Sequence, residues 1–228
     1  MDEKQYKTYA HILRQELIPA FGCTEPIAVA FAAAKAREVL GQMQEHLVVQ
    51  CSGNIIKNIK GVIVPASGGL RGIAISALLG AVGGDAGRGL ECLTSVTEEQ
   101  RAEARRLEAD GICEVELLEG VPNLDIIVTA TVGHASALVE VRNAHTNICR
   151  IEKDGQTVFL GEDHPVAEEA DLSVLTLEDI LTFAETVPLK MVQPVLEQQL
   201  RYNLAIAEEG LKDDWGANVG KTLLKHLG

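Results

Sequence analysis

The run Asp125-Ile-Ile-Val-Thr-Ala-Thr-Val132 alternates in side-chain character with a period of two, and Ala135-Ser-Ala-Leu-Val-Glu-Val-Arg142 repeats the pattern at once. Such alternation predicts strands with one face turned to a core. Cys113–Leu118, residues 146–153 and Gln156–Leu160 read the same way, with Asp154-Gly155 as a hairpin turn between the last two. The expected product is a β-meander. Upstream, His46–Ser52 and residues 61–65 are short and rich in valine and isoleucine, and they predict two more strands.

Helical periodicity surrounds this block. Tyr9, Ile12, Leu13 and Leu17 follow the spacing of one helical face, predicting a helix over 5–20. Gly22 to Pro26 forms a tight corner, and an alanine-rich helix over 27–40 follows it, with Pro26 in the first turn. Residues 70–82 and 97–109 predict helices inside the block; 177–185, 190–209 and 217–227 predict three more after it. The fold class is therefore α+β: a helical domain made of N- and C-terminal helices, with an inserted mixed α+β module containing an antiparallel β-meander. The corresponding boundaries are 1–42, 43–165 and 166–228, and the closing helices read as a domain left open.

Composition narrows the function. The 228 residues carry 33 acidic and 20 basic side chains, a net charge of −13, which opposes binding to nucleic-acid phosphates or an anionic membrane. There is no run of about 18 apolar residues and no signal-like start, so a cytoplasmic location is expected. Cys23, Cys51, Cys92, Cys113 and Cys149 are odd in number and widely spaced, which argues against a disulfide framework or a self-contained zinc site.

Four segments could carry chemistry. Cys23 stands at a helix start, where the dipole and free amides favour thiolate, and Glu25 is placed to act as an acid or base beside it. Either residue alone is more often structural. Ser52-Gly53-Asn54-Ile55-Ile56-Lys57-Asn58 reads as a loop after a strand, in which Asn54, Lys57 and Asn58 could grip a carboxylate. Ala66-Ser67-Gly68-Gly69-Leu70-Arg71-Gly72 leads glycine-rich into a helix without matching a phosphate-loop motif. In Asn143-Ala144-His145-Thr146-Asn147, His145 could move a proton. His11, His46, His134, His164 and His226 show no metal-ligand spacing.

Gly22-Cys23-Thr24-Glu25-Pro26-Ile27 is highly specific. With Lys57-Asn58, Gly61-Val62, Val64-Pro65, the stretch from Ala77 to Gly84, Gly89-Leu90-Glu91 and His145-Thr146-Asn147-Ile148, it resembles the L-cysteine desulfidase group, also known as UPF0597 proteins, related to the α-chain of iron-sulfur L-serine dehydratases. The resemblance spans the chain but only the first half of the family's length. It implies an amino-acid lyase that eliminates across the α and β carbons, giving pyruvate, ammonia and sulfide or water. It further implies a 4Fe-4S cluster in place of pyridoxal phosphate, with Cys23 as one metal ligand and the remaining ligands outside this chain. Glu25 and Thr24 become the expected catalytic residues; Asn54, Lys57, Asn58, His145, Thr146 and Asn147 become the expected contacts to L-cysteine or L-serine. This chain alone would be inactive, calling for its C-terminal half, a homo-oligomer or a separate subunit. The alternative is a non-catalytic small-molecule binding or regulatory module.

Overall fold

The computed structural model describes residues 1–162 and 171–227. In chain order these form α1 (Glu3–Glu16), α2 (Thr24–Leu40), β1 (His46–Ser52), α3 (Gly53–Ile59), α4 (Ile73–Gly83), a 3-10 turn (Ala86–Glu91) and α5 (Glu98–Ala109). The strands β2 (Cys113–Leu118), β3 (Asp125–Val132), β4 (Ala135–Arg142), β5 (Ile148–Lys153) and β6 (Gln156–Leu160) follow. A short 3-10 turn, Leu172–Val174, precedes α6 (Leu177–Thr186), α7 (Leu189–Lys212) and α8 (Val219–Leu227). The fold class is α+β, as the periodicities predict. The chain divides into a sheet unit, Ala20–Ala167, and a helical unit, Met1–Pro19 with Glu168–Gly228.

In the sheet unit, six strands lie in the order β2-β1-β3-β4-β5-β6. Alternation sets which residues point into the core. Leu47, Val49 and Cys51 of β1, Ile126, Val128 and Ala130 of β3, and Ala137, Val139 and Val141 of β4 are all buried, while their neighbours Val48, Ile127 and Leu138 are half-buried. The buried set meets α2 and α4, which pack on each other. Alanines at 28, 30, 32, 33, 34 and 36 leave α2 with little bulk on any side, so it can be buried almost all round. Gly80 of α4 sits so close to α2 that a Cβ there would lie 2.0 Å from the Ala30 carbonyl oxygen. Gly41, in the left-handed conformation at φ +82°, ends α2, and Lys153 Nζ donates to the carbonyls of Val39 and Leu40 at that end.

The meander is present from β3 to β6, and Asp154 and Gly155 both take positive φ at its last turn. The strand at Cys113–Leu118 departs from the expectation. It leaves the meander and pairs parallel with β1 at the sheet edge, because α3, α4 and α5 form a crossover between the two strands. Residues 61–65 form no strand; one bridge, Ile63 to Arg71, is their only sheet-like pairing among the described residues. The second helix packs with the sheet, whereas sequence order grouped it with the terminal helices. The expected boundary at 165/166 and His164 lie outside the described residues.

In the helical unit, α1 opens with a capping box in which Asp2 and Gln5 satisfy each other's backbone amides. Its Tyr6 and Tyr9 rings stack on Phe183 of α6, and Arg14 donates to the Met191 carbonyl at the start of α7. Val192 and Val195 are buried; beyond them α7 loses its cover.

Candidate functional site

The site forms around one carboxylate in the sheet unit. Gly22, at φ +148°, turns the chain into α2 where a Cβ would come within 2.7 Å of the Pro65 ring. The Phe21 amide donates to the Leu90 carbonyl and anchors the other side of the corner. Cys23 is the N-cap residue, and α2 begins at Thr24. This places Glu25 in the first turn with its side chain folded back towards the cap.

Glu25 then gathers donors from separate parts of the chain. Cys23 Sγ donates to Oε2 at 3.1 Å, and Thr24 Oγ1 donates to the same oxygen at 3.3 Å. Asn58 Nδ2 donates to Oε1 at 3.2 Å. His145 is near enough for its charge to act on Glu25, although burial, the larger influence, holds its imidazole below the ordinary value. Burial also opposes the charge of Glu25, yet the Cys23 hydrogen bond, its own backbone amide, His145 and Thr24 together bring its carboxyl below the usual value.

The thiol behaves against the dipole expectation. Burial first, and then the hydrogen bond to Glu25, raises the Cys23 pKa above its ordinary value. Helix-start amides lower it by less, because a carboxylate two residues away penalises a second negative charge. Cys23 therefore holds its proton and shares it with Glu25.

Asn58 comes from an element that was expected to be a loop. Residues 53–59 form α3 instead, since Ser52 Oγ accepts from the Ile55 amide as N-cap while donating to the Asn123 carbonyl. Ile55 and Ile59, four apart, bury the other face of this short helix. That spacing, with a serine just before it, is the signal that distinguishes helix from loop. Asn54 and Lys57 are exposed on α3, beside Asn58 in the helical period. His145 rides on the turn between β4 and β5. There Asn147 Nδ2 donates to the Arg142 and Glu162 carbonyls, and the Asn143 amide donates to Leu124. Thr146 is exposed and faces Gly89, where a Cβ would lie 3.7 Å from its methyl. Thus Cys23, Thr24, Glu25, Asn58 and His145 converge; Asn54 and Lys57 stand at the solvent side, and Asn147 spends its amide on holding the turn.

The other thiols are of a different kind. Burial pushes Cys51, Cys92 and Cys113 up to about 12, and Cys149 is buried against the Glu140 carbonyl. Among the described residues, no group of three or more His, Cys, Asp or Glu side chains is placed to hold a metal. A four-iron cluster takes about four such ligands, so the described residues do not by themselves fit one.

A protein from Lachnoclostridium phytofermentans is 50% identical over 224 residues, covering 98% of this chain. One from Finegoldia magna is 42% identical over 220 residues, and one from Treponema denticola 39% identical over 232. The homologues of this chain are UPF0597 proteins. That name states no activity, and the chain spans about half the length of the curated UPF0597 relatives it matches, 53–54% of each of these three. No family model and no solved structure matches. No helix among the described residues is long and apolar enough to cross a membrane.

Proposed function

We propose that this chain is one portion of an iron-sulfur-dependent amino-acid lyase of the L-cysteine desulfidase or L-serine dehydratase type. The observation that carries the reading is the meeting of a thiol and an amide on the Glu25 carboxylate, with the His145 imidazole near enough for its charge to act there, from three separate stretches of sequence. Cys23 would contribute one sulfur to the cluster as its thiolate, and polypeptide beyond this chain would contribute the other ligands.

The residues of this chain suit α,β-elimination. The α-proton must go to a base, the β-substituent leaves as sulfide or hydroxide, and the resulting enamine takes up water to give pyruvate and ammonia. The imidazole of His145 is better matched to accept that proton than Glu25, whose carboxyl is held below its usual value and is therefore the weaker base. Glu25 receives the substrate's ammonium group. Asn58, with Asn54 and Lys57 on the same short helix, receives its carboxylate.

The test is anaerobic reconstitution of this chain together with the unmatched polypeptide of a UPF0597 relative, read by cluster absorbance and by pyruvate release from L-cysteine and L-serine. Cys23→Ala is expected to lose the absorbance. His145→Gln is expected to keep the colour while losing about 100-fold or more in pyruvate release. Full absorbance and turnover in Cys23→Ala would overturn the proposal, as would a colourless preparation that merely binds amino acids.

A further inference from the structure

The second half of α7 and α8 present an apolar surface that is exposed among the described residues. Leu200 is 58% exposed, Leu204 58%, Ile206 69%, Trp215 59%, Leu223 52% and Leu224 56%. On α7, Leu196, Leu200, Leu204 and Leu211 recur at the spacing of one helical stripe, the pattern of a helix made to bury that face. The first half of the same helix does bury it, through Val192 one turn before Leu196. Past Gln199 every α7 residue except Gly210 is exposed. Between α7 and α8 lies a hollow of about 510 Å³ lined by Gly210, Leu211, Trp215, Val219 and Leu223 among others. Soluble proteins seldom leave contiguous apolar patches of this kind open, and those they do leave usually receive another polypeptide.

We infer that this surface is the docking face for the polypeptide corresponding to the part of the UPF0597 relatives that this chain does not match. The matched relatives carry 96–99% of this sequence, and a little under half of each relative lies outside the match. In those proteins the unmatched part belongs to the same polypeptide as the matched stretch, so it meets the stripe at the high effective concentration that linkage confers. A second copy of this chain has no such advantage. The inference is independent of the catalytic proposal, because a docked partner needs neither cluster nor substrate.

The experiment co-expresses this chain with the tagged unmatched segment of the Lachnoclostridium phytofermentans relative. Elution as a one-to-one complex is expected, with loss of the chain's binding to an apolar fluorescent dye. Leu204→Asp combined with Leu223→Asp should abolish co-elution, while Val158→Asp, an exposed apolar site in the sheet unit, should leave it intact. Should the segment fail to fold alone, hydrogen exchange on the intact relative decides: the stretch aligned with residues 200–224 should exchange about tenfold slower or more than in this chain. Equal exchange in the two, or a homodimer of this chain that the same double substitution dissolves, would overturn the inference.

Discussion

Replacing Gly80 with alanine is expected to collapse the sheet unit. The added Cβ would sit 2.0 Å from the Ala30 carbonyl oxygen and 2.6 Å from its Cα, all backbone atoms of a helix that is itself buried. No rotamer change relieves a backbone clash, so α2 and α4 must separate, and both rest on β3 and β4 or on each other. Overpacking of a tight core costs about 1–3 kcal/mol, and a backbone contact belongs at or above the top of that range. Urea unfolding followed by far-ultraviolet circular dichroism is the appropriate measurement, because Trp215 and all three tyrosines lie in the helical unit. Gly210→Ala provides the contrast: a Cβ there meets nothing within 4 Å, and the exchange should stabilise α7 by about 0.5–1 kcal/mol.

Arg142→Met is expected to cost about 3–5 kcal/mol at neutral pH, the usual penalty for orphaning a buried charge. Arg142 Nε donates to Asp125 Oδ2 at 3.0 Å, and its terminal nitrogen pairs with Glu140; both carboxylates are almost fully buried. Burial already raises the Asp125 pKa, with Arg142 as the main opposing influence, and Asp125 Oδ1 accepts no hydrogen bond from the described residues. Without the guanidinium the folded-state value climbs further. An acid whose folded pKa lies above its unfolded one binds protons more tightly when folded, so its contribution to stability falls as pH rises from about 4 through the folded value. The gap between variant and parent should therefore narrow on acidification, as urea midpoints at several pH values would record. A variant uniformly weaker at all pH values would refute the electrostatic account. Arg106→Met, removing solvent-exposed pairs on α5, should move stability little. Because Arg142 also begins the turn that carries His145, its loss should disturb the candidate site as well.

Short-range chemistry was legible in the sequence. The Asp154-Gly155 turn and the period of β3 and β4 lie within a few residues and need no distant partner. Pairing was not legible. Nothing within Cys113–Leu118 says that it will join β1 rather than β3, since the same alternation suits either neighbour. For α3, the polar residues masked a helix whose stability comes from burying Ile55 and Ile59 rather than from propensity.

The candidate site divides in the same way. Cys23, Thr24 and Glu25 are bound by proximity at the start of α2, so their association could be anticipated. The contact with Asn58 and the nearness of His145 depend on the tertiary fold. The direction of the Cys23 shift could not be foreseen from the helix start alone, because the neighbouring carboxylate had first to fold back on the sulfur.

The place of β1 has a consequence for the order of assembly. Both of its neighbours, β2 and β3, come from Cys113 onward, whereas β3 to β6 join through successive hairpins. Closing the long loops back to β1 forfeits more chain entropy than closing hairpins does. As the chain emerges from the ribosome, His46–Ser52 must wait unpaired while dozens of later residues are added. The strand that ends at the cap of α3, and so holds Asn58 in reach of Glu25, is among the last to be locked in place.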